Sequence, residues 1–241
     1  MPPTGKRGEP LARDKLFQPS PHTEAALVTR HGVPDGEVIV VSRANTEGHL
    51  MRLKQPRIQP LATEAIPEEL RSRLGAAPSA PVLNVFATLA QHPGLAKRWL
   101  VFGAHVLGKS TLSPRDRELL ILRTGWLHGS EYEWGQHASI ALTCGISEAE
   151  ILRVTQGADA QGWSVFDAAL LRAVDELHVD SVISDATWNT LAGTYGKEQL
   201  LDLIFTVGQY TMVSMFLNSC GVQLEPGVKG WPDGARDRAR K

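Results

Sequence analysis

The chain has 241 residues, of which 42% are hydrophobic, 6% aromatic and 21% charged, with a formal net charge of −1. This is an ordinary globular composition, long enough to bury a core without metals or disulfides. It excludes a general nucleic-acid binder, which carries a concentrated basic surface, and no run of 18 apolar residues or N-terminal signal pattern points to a membrane.

The near-neutral total hides a pattern. Residues 1–60 carry a net +3 and residues 229–241 another +3, which leaves residues 61–228 at −7. The two cysteines, Cys144 and Cys220, form neither a CxxC pair nor a disulfide framework, so a reduced, cytoplasmic setting is expected.

Proline sorts the chain into regions. Eight of 15 prolines fall in residues 1–60, and none lies between Pro114 and Pro226, the interval where long helices are permitted. Residues 1–50 hold one β-like run, Val38 to Val41, and a single strand is not a domain. They are expected to be a disordered leader or an extension ahead of a natural start at Met51. A helical body over residues 51–225 and a basic, flexible tail over 226–241 complete the organisation.

In chain order, Pro67-Glu68-Glu69-Leu70 opens a first helix, residues 81–91 form a second closed at His92-Pro93-Gly94, and 95–108 a third. Ser113 with Pro114 and Asp116 starts the next. That helix carries Leu119 to Leu122 and Trp126-Leu127, apolar on more than one face, and is expected at the centre of the fold. Residues 131–144 follow, closed by Gly145, and Ser147 with Glu150 makes a capping box for another helix. Helices near 163–179, 185–194 and 197–219 finish an all-α chain.

There is also an internal echo. Glu118 to Leu122 resembles Gln199 to Leu203, and Cys144-Gly145-Ile146 resembles Cys220-Gly221-Val222. It predicts a duplicated helix–helix unit whose second copy lacks the polar stretch near Gly129–Gln136.

That stretch is where chemistry is expected. Helical spacing puts Ser130, Glu133 and His137 on one face, and a carboxylate four residues before an imidazole can orient it and raise its basicity. The plain alternative is a surface ion pair. Glu118, on the greasy helix before, needs a partner or a function because a lone buried carboxylate is costly. Metal ligation by Glu118, Glu133 and His137 is weak with so few ligands, and Ser130 lacks the strained turn of an activated nucleophile.

Arg117-Glu118-Leu119 through Arg123, Gly129 to Trp134, His137, Gly145 and Glu150-Ile151, with Asn84-Val85-Phe86, His92-Pro93 and Leu95 upstream, resemble the carboxymuconolactone decarboxylase family, which includes alkylhydroperoxidase D-like proteins. The resemblance implies an AhpD-like helical bundle, a homo-oligomer (dimer, trimer or hexamer), and a site around Glu118 and His137. In the peroxidase branch, two cysteines stand where this chain has Ser130 and Glu133. Peroxide reduction there needs a thiolate and a resolving thiol, which serine and glutamate do not supply.

The decarboxylase branch uses no cofactor, and none is expected here, nor a metal. The expected activity is therefore acid/base chemistry, decarboxylation or isomerisation, on a small lactone or keto acid. His137 is assigned as acid/base, Glu133 as its partner or as a second acid/base, and Glu118 as the orienting carboxylate. Arg123, Ser130, Tyr132 and Trp134 are assigned to substrate binding. A non-catalytic oligomer or scaffold of the same fold is the first alternative and a thiol peroxidase the second.

Overall fold

The computed structural model describes residues 53–74 and 80–232, all within the unit Arg52–Lys241. The expected leader and its β-like run lie outside the described residues, as does the tail beyond Pro232. Among the described residues, nine α-helices follow a short 3-10 turn at Thr63–Ala65: α1 Glu68–Arg73, α2 Asn84–Leu89, α3 Pro93–Gly108, α4 Pro114–Leu127, α5 Glu131–Thr143, α6 Glu148–Val154, α7 Val165–Asp180, α8 Asp185–Ala192 and α9 Lys197–Cys220. No strand occurs among the described residues.

Helix starts follow their caps. The Ser113 hydroxyl accepts the Asp116 N–H with Pro114 in the first turn, and Ser164 and Ser184 accept from Asp167 and Thr187 at the starts of α7 and α8. The Ser147–Glu150 capping box has both of its bonds, at 3.3 and 2.9 Å.

Helix α4 is the axis of the fold. Every residue from Glu118 to Trp126 is buried, with α5, α7 and α9 packed around it and α6 touching its flank. Leu119, Leu120, Leu122, Leu170, Leu171, Leu191 and Leu203 fill the main core. A helix covered on several sides must be apolar all round, and the Leu119–Leu122 run is the sequence form of that requirement.

The echo has a different cause from duplication. Residues 118–144 are two helices with a turn at Gly129, whereas 199–220 lie in one unbroken α9. What repeats is the helix stop: Gly145 and Gly221 adopt φ of 83° and 70°. Ile146 and Val222 then donate to Ala141 and Leu217 carbonyls five residues back, both at 3.0 Å. Cys-Gly followed by a branched apolar residue is a Schellman signal used twice.

By length and composition α9 is apolar enough to cross a bilayer, and half of that stretch is buried inside this fold. Its outer face exposes Leu201, Phe205, Met212 and Met215. The N-terminal end of the described body covers the C-terminal end of α9: the Arg57 N–H donates to the Cys220 carbonyl at 2.8 Å.

The expected tail does not start at Pro226. Residues 222–232 form a strap across α5, with Trp231 against Trp126 and Trp134 at ring centroid distances of 5.2 and 5.4 Å. Glu225 ties the strap down, accepting from the Tyr132 hydroxyl and the Asn84 N–H at 2.7 Å each and from the Gln136 amide.

Candidate functional site

Two neighbouring helices bring three ionisable side chains together. Glu118 and Gly125 lie on one face of α4, seven residues apart. A side chain at Gly125 would begin 3.5 Å from the Glu133 Cβ and Cγ, so Glu133 rests directly on that face. His137, one turn further along α5, meets Glu118: its Nδ1 lies 2.6 Å from Glu118 Oε2. Its Nε2 lies 2.9 Å from Glu133 Oε1. Arg117 closes the set, Nε to Glu118 Oε1 at 3.2 Å.

The set is enclosed. Glu118 is 0% exposed, Glu133 5% and His137 6%. Burial alone favours the neutral imidazole, but the carboxylates of Glu133 and Glu118 more than reverse this and raise its pKa to about 10. His137 is therefore an imidazolium at neutral pH with a proton on each nitrogen. Arg117 and His137 balance Glu118 and Glu133, which is how four charges persist in so dry a place.

Tyr210 of α9 is the site residue that sequence reasoning missed. It is buried, and its ring meets the His137 imidazole edge-on at 5.0 Å and 83°. Burial first, then the Glu133 and Glu118 charges, push its phenol well above the ordinary range, so it remains an O–H donor. Its signal in sequence is slight: Gln209-Tyr210 is a polar pair in an apolar helix.

The other assigned residues fare differently. Ser130 is fully buried at the start of α5, and its hydroxyl has neither a capping bond nor another partner. Without a base it is not an activated nucleophile. Tyr132 and Trp134 flank Glu133 by about 100° of helical rotation each and so leave its face. Tyr132 joins Glu225 and Val85, while Trp134 packs in the main core. Both side chains thus point away from the face shared by Glu133 and His137.

Arg123 is likewise committed elsewhere. Its Nε pairs with Asp175 at 2.6 Å and its Nη1 donates to the Val154 carbonyl at 2.9 Å, so it ties α4 to α6 and α7. It is a strut, not a carboxylate receptor. Arg123→Ala is expected to lower stability by about 2–3 kcal/mol while leaving the His137 imidazole resonances unmoved. Urea unfolding and histidine-selective NMR check both parts.

Among the described residues, no group of three or more His, Cys, Asp or Glu side chains is arranged to hold a metal. Cys144 and Cys220 are free and partly buried at the C-terminal ends of α5 and α9, and burial pushes the Cys220 thiol up, away from a ready thiolate. Neither stands at positions 130 or 133.

Residues 93–176 match the model of the carboxymuconolactone decarboxylase family. Among solved structures, the chain resembles an alkylhydroperoxidase AhpD core protein, described as peroxidase-related, from Ralstonia eutropha JMP134. The TM-score is 0.62 at 17% identity over 71% of this chain and 93% of that one. A peroxidase-related protein from Silicibacter sp. TM1040 gives 0.58 at 15% over 73% and 93%. The debrominase Bmp8 with 2,3,4-tribromopyrrole gives 0.59 at 14% over 77% and 98%. No curated protein sequence matches. Residues 93–176 are thus similar to the carboxymuconolactone decarboxylase family, on an AhpD-like helical fold without the cysteine pair.

Proposed function

We propose that this protein is a cofactor-independent proton-transfer enzyme, of isomerase type, for a small lactone or related carbonyl compound. The observation that carries the reading is His137 held between Glu118 at 2.6 Å and Glu133 at 2.9 Å in a buried setting. Such a triad keeps one imidazolium in proton-transfer contact with two carboxylates, out of water.

The protonation state sets the roles. His137, charged up to about pH 10, is an acid and an electrostatic partner rather than a base at neutral pH. Glu133 takes a proton from the carbon beside a carbonyl, the C–H electron pair moves into the enolate, and the imidazolium beside it stabilises the negative oxygen. Return of the proton to a different carbon completes an isomerisation with no electron gained or lost. Glu118 keeps the imidazole oriented and charged.

Decarboxylation is the less supported variant. It requires a receptor for the substrate carboxylate, and Arg123, the residue expected to serve, is bound to Asp175 and Val154. The debrominase of similar fold was solved in complex with 2,3,4-tribromopyrrole, a small ring without a carboxylate. A thiol peroxidase lacks support because Ser130 and Glu133 occupy the two sulfur positions. One observation favours the non-catalytic alternative: both His137 nitrogens already face carboxylates, as in a purely structural ion triad.

A panel of lactones and keto acids incubated in deuterium oxide separates these readings. The expected result is deuterium uptake at carbon without CO2 release, falling about 10²- to 10⁴-fold in Glu133→Gln when both proteins are assayed well below the variant's Tm. Release of CO2 would restore the decarboxylase reading, and inertness across the panel would favour the structural triad.

A further inference from the structure

We propose that α9 supplies a hydroxyl wall for this site: Tyr210, with Thr206 one turn before it and Ser214 one turn after it, binds a neutral carbonyl or hydroxyl oxygen of the substrate. The inference rests on the proton-transfer reading and deepens it by naming the ligand's polarity and the residues that select it.

The first support is position. Residues 206, 210 and 214 stand at i, i+4 and i+8, so they line one face of α9. The middle one touches the His137 ring. Asn218, a further turn along, donates to the His128 carbonyl at 2.9 Å, which brings this end of α9 beside the loop that carries Ser130.

The second is unmet hydrogen bonding. Thr206 is 1% exposed and Ser214 0%, yet neither hydroxyl has a partner, and the same holds for Ser130 at 0%. A buried polar group left unsatisfied costs about 1–3 kcal/mol, and native interiors satisfy nearly all of them. Serine and threonine in a helix often return their proton to a carbonyl four residues back, as Thr124 does to Leu120 at 2.8 Å. Thr206 and Ser214 do not, and they flank the one tyrosine that touches the charged triad.

The third is charge. Arg117 is paired with Glu118 and Arg123 with Asp175, and the His137 imidazolium is shared between Glu118 and Glu133, so these cations are already matched and none of them is left over for an anionic ligand. Val106, Ile121 and Phe102 surround Tyr210 with apolar surface. The ligand this suits is small, mostly apolar and neutral, with an oxygen that hydroxyls can hold.

The test is calorimetric titration of the full chain with α-angelica lactone, a neutral enol lactone, and with 4-oxopentanoate, its ring-opened anion. The lactone is expected to bind at least about 10-fold more tightly than the anion. Tyr210→Phe and Ser214→Ala, each removing one oxygen, are expected to weaken lactone binding by about 5- to 10-fold with unchanged Tm. Absence of lactone binding, equal binding by Tyr210→Phe, or preference for the anion overturns the proposal. Deuterium uptake into the lactone is followed in the same samples. Wall-dependent binding without uptake keeps the wall and removes the proton-transfer reading, whereas uptake unaffected by Tyr210→Phe does the reverse.

Discussion

In the His137→Gln protein, the loss of stability expected of the native chain between about pH 6.5 and 10 should be absent. Folded His137 holds its proton up to about pH 10, against 6.5 for an ordinary histidine. Between those values the folded state binds more protons than the unfolded one, so stability falls as pH rises. The contribution is fully present below the unfolded value and is lost as pH passes through the folded one. At about 1.4 kcal/mol per pH unit, its full height is about 5 kcal/mol.

Glutamine keeps most of the shape and removes the charge. Glu118 and Glu133, 0% and 5% exposed, then face each other with no cation between them, and the variant is expected to be less stable at neutral pH by about 3–5 kcal/mol. A second change, Glu118→Gln, removes one of the facing charges and should recover part of that loss, a coupling that only contacting groups show. Urea unfolding of the three proteins at each pH unit from 6 to 10 decides the matter. Parallel stability curves for the native chain and His137→Gln would mean that the imidazole is not the charged centre described above.

The parts of the site that sequence made legible are those fixed by one helix. Glu133 and His137 share a turn of α5, so their spacing alone put them on one face, and the structure keeps them there at 2.9 Å. Glu118 was named by its family position, and its contact with His137 depends on how α4 crosses α5. The residues that lie apart from the triad do so for the same kind of reason. Arg123 meets Asp175 and the Val154 carbonyl, 52 and 31 residues away, partners that no local pattern announces. Tyr132 and Trp134 stand beside Glu133 in sequence, but adjacent positions on a helix point about 100° apart.

The fold was easier to read because its signals are local. Ser113, Ser147 and Gly145 mark helix ends by satisfying backbone groups nearby, and the run without proline left room for α4 to α9. The same locality produced the false duplication, since a helix stop reads alike whether a hairpin or a single long helix precedes it. Tyr210 stayed hidden because 73 residues separate it from His137, and one tyrosine in an apolar helix resembles core.

A methyl group added at Gly135 is expected to release the C-terminal strap and, through it, to loosen the triad. In an exposed helix Gly→Ala would stabilise by about 1 kcal/mol. Here the new Cβ would lie 2.7 Å from the Lys229 carbonyl oxygen, 2.9 Å from Leu224 Cδ2 and 3.2 Å from Val228 Cγ1. The first is backbone and cannot rotate away, so the strap must move and carry Trp231 off Trp126 and Trp134. Gly135→Ala is therefore expected to destabilise by about 1–3 kcal/mol, with Trp231→Ala, which removes the strap's largest side chain, at about 3–5 kcal/mol. In combination the two should cost less than their sum, because the first already undoes what the second removes. The strap lies about 200° around α5 from both Glu133 and His137, so it backs the helix from behind and holds both side chains toward α4. Releasing it should lower the His137 pKa from about 10 toward the ordinary histidine range as the contact with Glu118 lengthens. Histidine NMR titration of Gly135→Ala reads this directly. A variant as stable as the native chain, with an unmoved His137 titration, would show that the strap is only draped over α5 and does not hold it in place.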